Sequence, residues 1–253
     1  MRWSEETRDA DCSPLCLDTS DIEDFCTYLR DDKGNAPSTV NRRLQALRKF
    51  FALAVTQGWT DGNPAEDASL LDERVSERSR SLSHDDVHRL LEAVRQSRSR
   101  QAARDLAVIQ LLLGAGLKLG ELTELRLEDV HLDAGQPYLD VRDASGGAGR
   151  KVALEDEVCD ALRRYLPVRK AAEGVDHFCV NRDGNALSTR SVQRLLRHYA
   201  RLAELDGLTT QSLRFVYATR VYESSGDLKV VARNLGHRHL ATTIRYLRPS
   251  SDE

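Results

Sequence analysis

The sequence predicts a mainly α-helical protein with a small antiparallel β-sheet, divided into two domains. Apolar residues recur at helical spacing along most of the chain. Two short segments, YLDVRD and RKVAL, flank the glycine-rich stretch SGGAG and predict a β-hairpin. The segment at 71–82, LDERVSERSRSL, is charged, rich in serine and poor in apolar residues, so it predicts an interdomain linker.

The first 70 residues predict a small helical domain. LDTSDIEDFCTYLRD opens with a candidate N-cap and places Ile22, Phe25 and Leu29 at helical spacing. Gly34, Asn35 and Pro37 interrupt this pattern. A second helix is predicted over STVNRRLQALRKFFALAVTQGW, with Ser38 as its N-cap, and GWTDGNP ends it.

The region after the linker predicts further helices around the hairpin. Ser83 and Asp86 form a capping-box pattern at the start of LSHDDVHRLLEAV. RDLAVIQLLLGAG predicts an apolar helix, LGELTELRLEDV a short helix, and HFCV a brief strand. The remaining helical segments are EDEVCDALRRYLPVRK, TRSVQRLLRHYARLAEL, TQSLRFVYATRVYESSG, KVVARNLGH and ATTIRYL.

Charge is distributed unevenly along the chain. Net charge is -3, which alone argues against a nucleic-acid partner. Residues 1–70 carry 8 Lys/Arg and 13 Asp/Glu, whereas residues 182–248 carry 12 Lys/Arg and 5 Asp/Glu. This asymmetry predicts a local anion-binding face on an acidic protein.

Several classes of protein are excluded by pattern. No apolar run approaches the ~20 residues of a membrane span. The polar, acidic start MRWSEETRDADCS resembles neither a signal nor a transit peptide, so we expect a cytoplasmic location. Cys12 and Cys16 lack a second Cys/His pair at metal spacing, so we expect reduced thiols and no metal or other cofactor. SGGAGRKV is not a phosphate-binding loop, because Val152 follows Lys151 where that motif needs Ser or Thr.

Four segments remain as candidates for a functional site. They are GAGLKLGEL (114–122), SGGAGRKVAL (145–154), TTQSLRFVYATR (209–220) and LGHRHLATTIRYL (235–247). Each is ambiguous alone. Arg214 on an apolar helix is compatible with a structural ion pair, His237 with helix capping, and Tyr246 with an amphipathic core position.

Their order and combination resemble the tyrosine recombinases of the phage-integrase and Xer-like family. GAGLKLGEL resembles the first active-site box (GLR-x-x-E-L), SLRFVYAT the second (H-x-L-R-H-x-x-A-T), and LGHRHLATTIRYL the third (L-G-H-x-x-x-x-T-T-x-x-Y). The resemblance implies a two-domain architecture. Residues 1–70 would form a helical, SAM-like core-binding domain that is short at its N-terminus, 71–82 the linker, and 83–253 the catalytic domain.

The family's reaction gives each matched residue a role. A tyrosine oxygen attacks a DNA phosphate and forms a 3′-phosphotyrosyl bond, without metal or ATP. The resemblance places Tyr246 as nucleophile, Arg214 as phosphate clamp, His237 as the third-box histidine and Glu121 as the supporting acid. Cationic donors must surround the phosphate oxygens, and the planar fork of arginine binds two oxygens at once.

Four positions depart from the family pattern, and one of them is Phe215, where the second box often has a second histidine. Lys118 stands at the first-box arginine, which keeps the charge but loses the fork. Gln211 stands at the second-box histidine and cannot shuttle a proton. The hairpin lysine that usually serves as general acid would fall near 145–147, where the chain has none. Lys151 is a candidate substitute, with Arg150 beside it.

The resemblance also implies double-stranded DNA as partner, a dimer or tetramer on DNA, and no membrane. The residues expected to contact DNA are Asn41, Arg42, Arg43, Arg150, Arg190, Arg194 and Arg238. Three hypotheses follow: an active recombinase, a catalytically inactive DNA-binding regulator or mobile-element relic, and a helical protein-interaction module. A DNA-binding protein should lose affinity steeply with salt, and an interaction module should not.

Overall fold

The structure is a computed structural model that describes residues 13–71, 82–142 and 149–247. The chain divides into two compact units, Met1–Ser76 and Glu77–Glu253. Helices predominate, and one three-stranded antiparallel sheet is present, which confirms the predicted fold class. None of the described helices is long and apolar enough to cross a membrane. Most of the predicted linker and the SGGAG turn lie outside the described residues.

The first unit is built on two helices, α1 (Thr19–Asp31) and α2 (Pro37–Thr56). Asp18 caps α1 by accepting from the Asp21 backbone N–H at 2.9 Å. The predicted N-cap at Ser38 is wrong. The helix starts at Pro37, because the fixed φ and missing N–H of proline suit the first helical position. The core of this unit consists of Ile22, Leu44, Phe51, Ala65 and Ala68.

The second unit is organised around a buried central helix. Helix α3 (His84–Arg95) begins with the predicted capping box of Ser83 and Asp86, which is confirmed. Helix α4 (Ala102–Gly114) follows, and all its residues from 107 to 114 are buried. A helix that is apolar on all sides needs neighbours on all sides. Those neighbours are α3, α6 (Asp156–Tyr165) and α8 (Thr210–Ser225).

The sheet has the order β1 (Val130–His131), β2 (Tyr138–Val141) and β3 (Arg150–Ala153). The two hairpin strands are confirmed, and β1 was not predicted because two residues carry no detectable alternation. The predicted strand HFCV is wrong. Residues 177–180 make only isolated bridges at His177 and Val180, and their apolar character reflects burial in the core.

Four further helices among the described residues complete the second unit. They are α5 (Leu119–Glu124), α7 (Thr189–Leu202), α9 (Leu228–Leu235) and α10 (Leu240–Leu247). Helix α9 ends at Gly236, which has a φ of 66° and lets the chain turn sharply into His237. The segments TQSLRFVYATRVYESSG, KVVARNLGH and ATTIRYL therefore form three successive helices as predicted.

Gly116 lets the loop between α4 and α5 lie directly against α8. Its φ is +56°, and a Cβ at this position would lie 2.2 Å from Cδ1 of Tyr217. A side chain would therefore be disfavoured both by the left-handed backbone and by contact with a buried ring. This close approach sets the distance between the first and second candidate boxes.

We expect Gly116→Ala to lower the free energy of unfolding by about 2–4 kcal/mol, from backbone strain and overpacking together. Urea denaturation followed by circular dichroism measures it. Gly120→Ala is the matched control, because Gly120 lies in α5 and nothing is within 4 Å of an added Cβ. That variant should be as stable as the wild type or more stable. Equal effects of the two substitutions would contradict the packing argument.

Candidate active site

Arg214 lies at the centre of the candidate site. It projects from α8, and its side chain is only 2% exposed. Nη1 donates to the carbonyl oxygen of Gly116, and Nη2 donates to that of Leu235. One guanidinium therefore joins the first-box loop, the second-box helix and the end of α9, which leads into the third box.

Glu121 is the buried acid beside it, with a side chain that is 7% exposed. Its Oε1 and Oε2 accept from Nη1 and Nη2 of Arg150, each at 2.8 Å. The Lys118 backbone N–H donates to Oε2 at 2.7 Å, and Arg214 Nη1 lies 3.8 Å from Oε2. Burial acts to raise the pKa of Glu121, but the Arg150 bonds, the Lys118 N–H and the Arg214 charge together hold it below its usual value. The carboxylate therefore stays ionised at neutral pH.

His237 lies at the edge of this cluster, just after the turn at Gly236. Its Nε2 is 3.4 Å from Arg214 Nη2, and its Nδ1 is 3.0 Å from Oγ1 of the fully buried Thr243. A guanidinium has only donors, so Nε2 must accept and Nδ1 must carry the proton, which it donates to Thr243. Arg214 thereby sets the tautomer of the ring, and Thr243 helps to fix its plane.

The surroundings of His237 favour its neutral form. Burial, followed by the positive charges of Arg214, Lys118 and Arg150, lowers its pKa to about 4. Glu121 acts in the opposite direction and does not outweigh them. The ring is therefore a neutral acceptor at neutral pH, beside a cluster of three cations and one anion.

Lys118, the residue at the first-box arginine position, lies at the rim of the cluster. Its side chain is 54% exposed, and Nζ is 3.8 Å from Oε1 of Glu121. Gln211 is exposed in the first turn of α8, and Phe215 is half-buried one turn later. Tyr246 belongs to α10, three residues after Thr243, and its side chain lies outside the described part of the structure.

The hairpin brings Arg150, not Lys151, to the cluster. Neighbouring residues of a strand face opposite sides of the sheet. Arg150 shares a face with the buried Val152, and its Nε donates to the carbonyl oxygen of Asn234 at 2.7 Å. Lys151 points to the other face, where Nζ lies 4.3 Å from the ring centroid of Tyr138. The sequence shows that Arg150 and Val152 share one face of the strand and that Lys151 lies on the other. It does not show which of the two faces is turned toward the cluster, because that depends on the register of the strand pairing.

The residues expected to contact DNA fall into different environments. Asn41 is buried, and its amide both donates to and accepts from the Leu71 backbone at 2.8 Å, so the structure does not bring it to a surface. The exposed members are Arg42, Arg43, Arg190, Arg194 and Arg238. Arg194 also lines a cleft of about 710 Å³ together with Arg104, Arg182 and Arg201.

Within the described residues, no group of three or more His, Cys, Asp or Glu side chains is arranged to hold a metal ion. Cys16, Cys26, Cys159 and Cys179 are free thiols, and Cys12 lies outside the described residues.

Both parts of the chain match the same family of known proteins. Residues 80–253 match the phage integrase family, and residues 7–70 match the phage integrase SAM-like domain. The chain is 31% identical over 217 residues to the tyrosine recombinase XerC of Vibrio vulnificus strain YJ016, covering 85% of this chain and 67% of that protein. It is 33% identical over 220 residues to XerC of Alcanivorax borkumensis, covering 85% and 70%.

A solved structure gives the same answer for the fold. The Tn1549 transposon integrase, in complex with circular intermediate DNA, superposes with a TM-score of 0.80 and 21% identity. The similarity covers 99% of this chain and 87% of that one. The mainly helical, two-domain architecture is therefore that of the integrases.

We expect the ring of His237 to titrate near pH 4. The pKa of histidine in an unfolded chain is about 6.5, so between about pH 4 and pH 6.5 the unfolded chain binds a proton that the folded chain does not. The free energy of unfolding should then fall as pH falls from about 6.5 to about 4. NMR of the histidine ring protons measures the first effect and urea denaturation the second. His237→Gln should assign the signal and weaken the pH dependence; a midpoint near 6.5 would contradict the environment described.

Proposed function

This chain belongs to the phage integrase family of tyrosine recombinases, as its motifs predicted, and on that premise we propose that it performs site-specific strand exchange on double-stranded DNA. The observation that carries the proposal is the pairing of Arg214 with His237 at 3.4 Å, within a cluster buried around Glu121. These are the residues that the second and third boxes supply. A cytoplasmic location is proposed with this function.

The proposed chemistry exchanges one phosphate ester for another. The phenolic oxygen of Tyr246 attacks the scissile phosphorus, a 3′-phosphotyrosyl bond forms, and the bond to the 5′-oxygen breaks. The phenol loses a proton, and the leaving 5′-oxygen gains one. A 5′-hydroxyl of the partner strand then reverses the step, so the bond energy is retained and no ATP is needed.

The side chains of the cluster support this chemistry electrostatically. Arg214, Arg150 and Lys118 bring three positive charges and Glu121 one negative charge, so the cluster has a net charge suited to a phosphate. His237 is neutral, and its Nε2 would receive the phenolic proton after parting from Arg214 Nη2, which lies 3.4 Å away. The exposed ammonium of Lys118 is our candidate for supplying a proton to the leaving oxygen.

DNA binding is proposed for both domains. In the N-terminal domain Arg42 and Arg43 are exposed on α2, and in the catalytic domain Arg190 and Arg194 are exposed on α7. Contacts from arginine side chains to DNA phosphates add affinity independently of the base sequence. Assembly as a dimer or tetramer on paired DNA sites is part of the same proposal.

A nicked duplex that carries the recombination site tests the activity. A nick close to the scissile phosphate releases the 5′-hydroxyl fragment, so the covalent intermediate accumulates. We expect a protein–DNA adduct on a denaturing gel with the wild type and none with Tyr246→Phe, because the ring without its hydroxyl has no nucleophile. Flanking genomic sequence supplies candidate sites. A wild type that binds the duplex but forms no adduct would overturn the proposed activity.

A second function, DNA binding without cleavage, is favoured by two observations. Lys118 lacks the planar fork that holds two phosphate oxygens, and its side chain is largely exposed. Gln211 stands where the family supplies a histidine, and an amide transfers no proton. Such a protein would act as a regulator at the recombination site.

We expect Lys118→Arg combined with Gln211→His to raise the rate of adduct formation by about 10²-fold or more. The arginine at position 118 would supply the planar fork that binds a phosphate, and the histidine at position 211 would supply a group that can carry a proton. Lys170→Arg is the matched control, because Lys170 is exposed and makes no contact with the cluster. The nicked-duplex assay measures the rate. No gain in the double variant would show that these two positions do not limit the chemistry.

A further inference from the structure

We propose that Arg150 is a positioning residue for strand transfer, which holds the first-box acid Glu121 and the turn into His237 in one fixed arrangement. This rests on the proposed function, and it assigns a role to a strand residue outside the three boxes. Arg150 acts through Glu121 and the α9–α10 turn rather than on the phosphate itself.

The hydrogen bonds of Arg150 reach two separate elements. Nη1 and Nη2 bind the two oxygens of Glu121 in α5, each at 2.8 Å. Nε donates to the carbonyl oxygen of Asn234, near the end of α9, at 2.7 Å. All three guanidinium nitrogens are thereby engaged, in the planar geometry that only arginine offers.

The backbone that leads into His237 also lies against Arg150. Gly236 has a φ of +66°, and a Cβ on it would lie 2.9 Å from Nη1 of Arg150. The guanidinium therefore forms one wall of the turn, and the turn sets where the His237 ring is presented. The Arg150 side chain is 11% exposed, so water does not compete strongly for these contacts.

The contacts of Glu121 extend the effect to the rest of the cluster. Its Oε2 accepts the backbone N–H of Lys118 at 2.7 Å and lies 3.8 Å from Nη1 of Arg214. A shift of the carboxylate would move both neighbours. A displacement of about 1 Å in a positioning group lowers rates by about 10²-fold.

The test compares Arg150→Lys and Arg150→Gln with the wild type in the full chain. We expect the rate of adduct formation at saturating nicked duplex to fall by about 10²-fold, and the dissociation constant of the duplex to change by less than about threefold. Arg163→Lys and Arg163→Gln are the matched controls. Arg163 also donates to a backbone carbonyl, that of Leu132 at 3.0 Å, but has no contact with the cluster. Equal effects at the two positions would overturn the proposal.

The combined effect of substitutions at Arg150 and Glu121 on the rate of adduct formation shows whether the two residues act together or independently. Because Arg150 acts partly through Glu121, the double variant of Arg150→Gln and Glu121→Gln should be slowed by clearly less than the product of the two single effects. Combining Glu121→Gln with Arg163→Gln should reproduce the rate of Glu121→Gln alone. Multiplied effects of Arg150→Gln and Glu121→Gln would overturn the proposal.

A readout without DNA keeps this proposal separate from the proposed function. The N–H groups of Gly236 and His237 donate to the carbonyl oxygens of Arg233 and Ala232 at 3.1 Å and 2.9 Å. In Arg150→Lys, which keeps the charge, these two amides should exchange with solvent at least about tenfold faster, while amides of α6 keep their wild-type rates. Unchanged exchange at the turn would overturn the positioning role. If the wild type forms no adduct, the proposed function is wrong. The exchange rates of the Gly236 and His237 amides still test the positioning role of Arg150 in that case.

Discussion

The burial of the Glu121 carboxylate is the constraint on which the site depends. A carboxylate that is 7% exposed is costly to desolvate, and only paired, hydrogen-bonded cations offset that cost. Arg150 supplies two bonds and Arg214 a nearby charge, from a strand and a helix that are distant in sequence. Removing one partner of such a buried pair typically lowers the free energy of unfolding by ~3–5 kcal/mol. The contacts that order the site therefore also stabilise the fold.

The same cluster determines the protonation state of its neighbours. Three cations around one carboxylate leave a positive field, which together with burial holds His237 neutral. A phosphate entering this field would add negative charge and act to raise the pKa of the ring. The cluster thus carries excess positive charge before any phosphate is bound. Catalysis of phosphoryl transfer depends on positive charge that is fixed in place in this way.

Local signals made most helices predictable, and long-range contacts decided the rest. The capping box of Ser83 and Asp86 predicts the start of a helix from four consecutive residues. The family was recognised from the order of three boxes that are distant in sequence. The roles of Arg150 and Lys151 depend on register, since a shift of one residue reverses the face of every side chain. That register is seen only in the strand pairing, which places Val141 opposite Arg150 and Asp140 opposite Lys151. Asn41 was misplaced because its partner, Leu71, lies 30 residues away.

Lys118, at the position of the first-box arginine, keeps the positive charge but is held less rigidly than the other two cations of the cluster. Arg214 and Arg150 are nearly buried and bound to carbonyl or carboxylate oxygens, so their charges are fixed in place. Lys118 keeps the third charge, but its side chain is 54% exposed and its ammonium is 3.8 Å from Glu121. Fixing the Lys118 side chain on a phosphate would cost up to about 2 kcal/mol of conformational free energy. The weakest part of the site is therefore the cation that the fold constrains least.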